Sequence, residues 1–210
     1  MGLTALLFSN PALFFLLAFI LLYSVIFHEI AHGWVALRFG DDTALRHKRL
    51  TLNPAPHLDL IGTLMLFIVG FGWAKPVPVD YNKLKNTRFA LFSVALAGSA
   101  TNIFIATIAL FLLQFDTFSA NVAFSTVLPI VVKINIILGA FNLIPIPPLD
   151  GSKILMSFLP ENAQEKLARL EPYGFYILAF LLLTGLLNPL ITIMQNLIYG
   201  LIAMVVKIIK

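Results

Sequence analysis

The chain has 210 residues, of which 60% are hydrophobic and 11% charged, with a mean hydropathy of +0.94; an ordinary soluble domain carries roughly 25% charge, so a soluble globule is excluded and an integral membrane protein expected. The length allows about five spans of about 20 residues in a single domain, 1–210, and no appended soluble domain. With no cysteine, thiolate ligands, disulfides and cysteine nucleophiles are excluded, and the net charge of +4 is expected to meet the membrane surface rather than nucleic acid, because the basic residues flank the apolar segments.

The first apolar stretch runs from Pro11 to about Leu37, too long for the core of a cleavable signal peptide, and is read as a retained span. It contains His28-Glu29-Ile30-Ala31-His32. Charges and a glycine stop it at residues 38–42. A polar stretch to about Asp59 follows, with Arg46-His47-Lys48-Arg49 and the turn-forming Asn53-Pro54-Ala55-Pro56-His57. The apolar run from Leu60 to Trp73 is short for a span and is broken by Gly62, Thr63, Gly70 and Gly72, the pattern of a re-entrant element. Residues 74–81 alternate as a strand does, but Pro76 and Pro78 confine such a strand to an edge.

Further spans are predicted over about 89–113 and 127–143, the second broken by Pro145, Pro147 and Pro148 ahead of Leu149-Asp150-Gly151. Residues 152–172 read as an amphipathic helix at the membrane surface. Segments 173–187 and 189–206 close the chain as a hairpin through Asn188-Pro189. The expected fold is therefore an all-α polytopic membrane protein with about five transmembrane helices and a short re-entrant or strand-like segment over about 60–80. If 60–73 re-enters, every one of the 14 lysines and arginines except Lys133, which lies in a span, falls on one side. The positive-inside rule then puts the N-terminus outside and the C-terminus in the cytoplasm, predicting a multi-pass protein of the cell membrane.

Residues four apart on a helix share a face, so His28 and His32 can close on one metal ion while Glu29 beside them handles a proton. Ionisable groups in a span cost about 2.5–3.5 kcal/mol each on insertion scales, so the cluster points to function. A catalytic zinc takes three protein ligands, commonly two histidines and a carboxylate, and leaves one position open. Asp150 is the expected third ligand: the acidic residue closing an apolar span, on the same cytoplasmic side as the histidines. Taken alone it also fits a helix cap in an Asp-Gly turn.

On these residues the chain resembles the intramembrane zinc metalloproteases of the site-2 protease family, of the compact prokaryotic type without a PDZ domain. That family pairs H-E-x-x-H with Asn-x-x-Pro-x-x-x-x-Asp-Gly, here Asn142, Pro145, Asp150 and Gly151. Residues 53–63, with Asn53, Pro54, His57, Asp59, Gly62 and Thr63, and residues 72–79 resemble further blocks of its bacterial and archaeal members. The resemblance covers nearly the whole chain. It implies one zinc held by His28, His32 and Asp150, Glu29 as catalytic base, and hydrolysis of peptide bonds in or near transmembrane segments of substrate membrane proteins, with the active site towards the cytoplasmic side.

The family also uses Gly-x-x-x-Asn, here Gly98 to Asn102, with Ser99 where many relatives have proline. Asn102 is thereby expected either to donate to the oxyanion or to bond between helices. His57 is expected to make a structural hydrogen bond or to gate rather than to bind zinc, and residues 60–80 to offer an edge to an unwound substrate, or to be merely structural. The alternatives are a metal-binding membrane transporter and an inactive, substrate-binding pseudoprotease. Glu29 argues against both, since neither needs a base there.

Overall fold

A computed structural model of the chain describes residues 3–69, 72–85 and 87–209. Its helices are α1 (Leu3–Ser9), α2 (Pro11–Arg38), α3 (Thr43–Arg46), α4 (Leu60–Val69), α5 (Thr87–Leu112), α6 (Asp116–Ser119), α7 (Val122–Asn142), α8 (Asp150–Phe158), α9 (Glu161–Ala168), α10 (Glu171–Leu183) and α11 (Asn188–Ile209). The all-α membrane architecture is as expected. Four of the five expected spans, α2, α5, α7 and α11, are long and apolar enough to cross a membrane. The fifth is shorter. With 13 residues, α10 measures about 20 Å against a hydrocarbon thickness of about 30 Å, and Gly185, at φ 73°, ends it in the left-handed conformation open to glycine.

Helix α2 begins at Asn10, whose side-chain oxygen accepts from the Leu13 N–H at 3.1 Å, with Pro11 in the first turn where no N–H is needed. At its far end Gly40, with φ 104°, turns the chain away. The central helix is α5, which packs against α2, α7, α8 and α11. Small residues allow this: Ala90, Val94, Ala95, Ala97 and Ser99 are all buried, so the neighbouring backbones approach closely. Ala106 and Ala109 of α5 join Val132, Ile136 and Ala140 of α7 and Ile198, Ile202 and Val206 of α11 in one apolar cluster.

The 60–80 region is a half-length helix and an extended tail. Ten residues of α4 rise about 15 Å, half a membrane; Gly70 lies outside the described residues. Among the described residues no strand forms, so the strand-like alternation over 74–81 gives extended chain without a ladder. Side chains and loops hold it instead. The Lys75 N–H donates to the His57 carbonyl at 2.8 Å, the Arg49 guanidinium to the Lys75 carbonyl at 2.7 Å, and the Asp80 N–H to Asp41 at 2.8 Å. The expected surface helix over 152–172 is two helices parted at Pro160. Helix α9 has no buried residue, whereas α8 buries Gly151, Ser152, Met156 and Ser157.

Candidate metal centre

One turn apart on α2, the two imidazoles meet edge to face with ring centroids 4.7 Å apart and their Nε2 atoms 3.0 Å apart. Asp150 Oδ2 stands 3.1 Å from the first and 3.2 Å from the second. The chain delivers it by ending α7 at Asn142, turning through a cis Pro147–Pro148 bond and starting α8 at Asp150 itself. Gly151 permits this by close approach rather than by an unusual dihedral. A Cβ there would lie 2.3 Å from the Leu143 carbonyl oxygen and 2.4 Å from that of Ile144. Asp150 does not cap α8; Leu149 holds the cap position without a side-chain bond.

The hydrogen bonds fix the histidine tautomers. His28 Nδ1 lies 2.7 Å from Asn102 Oδ1, and His32 Nδ1 lies 2.7 Å from the Val94 carbonyl oxygen. Both partners accept only, so both Nδ1 atoms donate and each neutral ring turns a bare Nε2 lone pair inward. Two lone pairs thus face a buried carboxylate oxygen that has no hydrogen-bond partner. Without a cation this arrangement is repulsive or orphaned. Tetrahedral ligands about 2.0–2.1 Å from a shared centre sit roughly 3.3 Å from one another, and the triangle here has sides of 3.0–3.2 Å. The donor set fits zinc.

The Gly98–Asn102 pair acquires a physical meaning one helical turn long. A Cβ on Gly98 would lie 2.4 Å from His32 Nε2 and from His28 Cε1, so glycine makes the space the imidazoles occupy. Asn102 is fully buried, and both ends of its amide are engaged. Its Oδ1 takes His28, and its Nδ2 donates to the Ser24 carbonyl at 3.2 Å and to Asn135 Oδ1 at 2.9 Å. Asn135 in turn donates to Ser24 Oγ at 2.9 Å. Both Asn102 donors therefore bond between helices in this structure.

Glu29 points along the same cleft, and its Oε2 accepts the Val77 N–H at 2.7 Å. The cleft encloses about 270 Å³ and is lined by Glu29, both histidines, Asp150, Asn142, Tyr81 and Lys153, among others. Lys153 Nζ donates to the Tyr81 hydroxyl at 3.0 Å. Burial would lower the Lys153 pKa; Tyr81 first, then Glu171 and Asp150, outweigh burial and raise it. His57 stands apart from the three-residue group, fully buried with Nε2 2.9 Å from the Thr51 carbonyl oxygen, which is the structural bond expected of it. Asp59 accepts the Gly62 N–H at 2.7 Å and starts α4, and His47 is exposed.

Sequence reasoning did not single out Ser24, Val94, Asn135, Tyr81 or Lys153. Asn135 is likewise an amide in a span, but it lacks the Gly-x-x-x-Asn pattern that drew attention to Asn102. Val94 acts through its carbonyl, which no residue type announces.

The family model described as Peptidase family M50 matches residues 114–185, the stretch that delivers Asp150. Over 173 residues the chain is 42% identical to the Putative zinc metalloprotease YwhC of Bacillus subtilis, with 79% of each covered. The chain belongs to Peptidase family M50. This M50 chain is also 31% identical over 172 residues to the Putative zinc metalloprotease Rip2 of Mycolicibacterium smegmatis, covering 80% of itself and 66% of that protein. Zinc metalloprotease MJ0392 of Methanocaldococcus jannaschii is 28% identical over 154 residues, which are 73% of this chain and 37% of that protein. No solved structure matches. The resemblance to the site-2 proteases is thus borne out.

Proposed function

We propose that this M50 member is a zinc-dependent intramembrane endopeptidase that cuts peptide bonds in or near the transmembrane segments of other membrane proteins, as a single domain with one zinc per chain. The observation that carries this reading is the inward-facing triad of His28 Nε2, His32 Nε2 and Asp150 Oδ2 beside Glu29. Those three residues hold the metal. When bound, zinc supplies Lewis-acid activation of water and of the scissile carbonyl.

The remaining chemistry belongs to the side chains. Asn102 and the Val94 carbonyl fix the two imidazoles, keeping Nε2 free for the metal. Asn102 is accordingly a positioning residue. Glu29 accepts the proton of the attacking water as its oxygen adds to the carbonyl carbon, then passes it to the leaving amine nitrogen as the C–N bond breaks. The Val77 N–H orients that carboxylate. Lys153 bonds to the Tyr81 oxygen and leaves the phenol hydrogen without an acceptor among the described residues, so Tyr81 is the donor available to charge growing on the carbonyl oxygen. The site works from the cytoplasmic side of the cell membrane, following the charge bias.

Replacing Glu29 with Gln tests the assignment. Gln keeps an oxygen for the Val77 N–H and leaves the three ligands untouched, but accepts no proton. Cleavage of a model transmembrane substrate falls by about 10²–10⁴-fold while bound zinc is retained. Cleavage at the wild-type rate removes Glu29 from the reaction, and the protease mechanism falls with it.

A further inference from the structure

Away from the metal centre, α7 carries a lysine that its own chain does not neutralise. Lys133 stands eleven residues after Val122 and nine before Asn142, about 17 Å and 14 Å along the helix from its ends. A lysine side chain reaches about 6 Å, so the ammonium cannot snorkel to either headgroup layer. It has no ion pair or hydrogen bond among the described residues. It also belongs to no part of the histidine network, because Asn135, two residues on, points the opposite way round α7 and serves Asn102.

Lys133 lines a cavity of about 440 Å³ between α5, α7 and α11, with Gln195, Asn196 and Tyr199 projecting from α11, Leu110 from α5 and Leu113 from just beyond its end. None of the three polar α11 side chains has a hydrogen-bond partner among the described residues. Together they give an ammonium, two amides and a phenol, a set rich in donors, in an apolar wall. A carboxylate, which only accepts, is the group that satisfies them. Lipid headgroups lie too far along the helix axis. A second copy of this chain brings no carboxylate to that depth either: in α2, α5, α7 and α11 the one acidic residue is Glu29, already in the metal cleft. A polar group buried in the bilayer core and left unmatched is expensive, and intramembrane ionisable residues pair with a partner.

We propose that this groove docks a transmembrane helix of a partner protein bearing Glu or Asp near mid-span, its carboxylate taken by Lys133 and by donors from Gln195, Asn196 and Tyr199. This does not depend on the reading of the metal site.

The test reconstitutes the full chain in phosphatidylcholine vesicles at neutral pH with a synthetic leucine-rich single-span peptide carrying a central Glu, against one with a central Leu. A Ser119→Cys label on this otherwise cysteine-free chain reports association by energy transfer. The Glu peptide is expected to bind about tenfold tighter than the Leu peptide. That preference disappears in Lys133→Met, and Lys133→Glu reverses it in favour of a peptide with a central Lys. Both variants alter an outward-facing residue, and an unchanged helix content and thermal midpoint in detergent show that they fold. Equal binding of the Glu and Leu peptides by the wild type, or a Glu preference that survives Lys133→Met, overturns the proposal. So does blockage of the groove by one oleate per chain, or a Lys133-dependent association between two copies of the chain; these assign it to a lipid carboxylate or to self-association.

Discussion

Adding one methyl group at Gly98 should empty the metal centre without touching a ligand. The new Cβ would stand 2.4 Å from His32 Nε2 and His28 Cε1 and 2.5 Å from His28 Nε2. Carbon contacts settle near 3.5–4.0 Å, so the rings must retreat by about 1 Å. Metal–ligand distances tolerate about 0.2 Å. Nor can the rings swing freely, because the Val94 carbonyl and Asn102 anchor their Nδ1 atoms at 2.7 Å. Both Nε2 atoms are displaced at once, and zinc affinity should fall at least about 100-fold, or 2.7 kcal/mol. The measurement is zinc per chain after equilibration against graded chelator. Gly139→Ala serves as the control: it lies in the same bundle, yet its nearest contact would be Ile103 Cγ1 at 3.3 Å, which a small shift relieves. A folded Gly98→Ala protein that holds zinc at the same chelator concentration as the wild type would refute the argument that this glycine makes room for the imidazoles.

Asp150→Ala should lower zinc occupancy along with cleavage, by more than about 100-fold in affinity, and full occupancy in a chelator titration would return Asp150 to a packing role. Single cysteines at Asn53 and Asn82 should both label from the cytoplasm and one at Ser119 only from outside; labelling of the first two from opposite faces would make residues 60–73 a true crossing. Asp41 gives a pH-dependent case. It is fully buried and accepts from the Thr43 N–H and hydroxyl and from the Asp80 N–H; burial opposes its charge, but these bonds outweigh burial and depress its pKa. A carboxyl with a folded pKa below its unfolded value of about 3.9 stabilises fully above that value and less as pH falls through the folded one. Asp41→Asn should therefore cost about 2–4 kcal/mol at pH 7, and the thermal-stability gap to the wild type in detergent should close at acid pH; a gap independent of pH from 7 down to 3 would mean that the charge is not what Asp41 contributes.

The grouping of His28, His32 and Asp150 was legible because it is carried by residue types at fixed spacing. His28 and His32 need only a helix to meet, and Asp150 is an acidic residue at the end of an apolar span. What surrounds them was legible only in part. Gly98 and Asn102 stood out as a pair, but the clash that requires glycine depends on two rings from α2, some seventy positions earlier. Tyr81 and Lys153 come from segments 72 residues apart and no spacing rule joins them. The spans were visible as apolar stretches, whereas the shortness of α10 depends on where Gly185 turns, and a window of hydrophobicity does not register that.

Among the described residues, the extended segment beside the cleft carries a strand's alternation without a strand's partners. Alternation over 74–81 does describe extended chain, but a ladder needs N–H donors. Pro76 and Pro78 have none, and Lys75, Val77 and Asp80 have given theirs to His57, Glu29 and Asp41. Among the described residues of 75–80, Val79 keeps the one uncommitted N–H. An edge of that kind offers carbonyls to an unwound substrate and little else, so strand addition along 75–80 must be sparse unless the Val77 N–H changes partner. That N–H cannot serve a substrate carbonyl and Glu29 together. A substrate strand pairing at Val77 would therefore release the Glu29 carboxylate, coupling occupation of the edge to the freeing of the base.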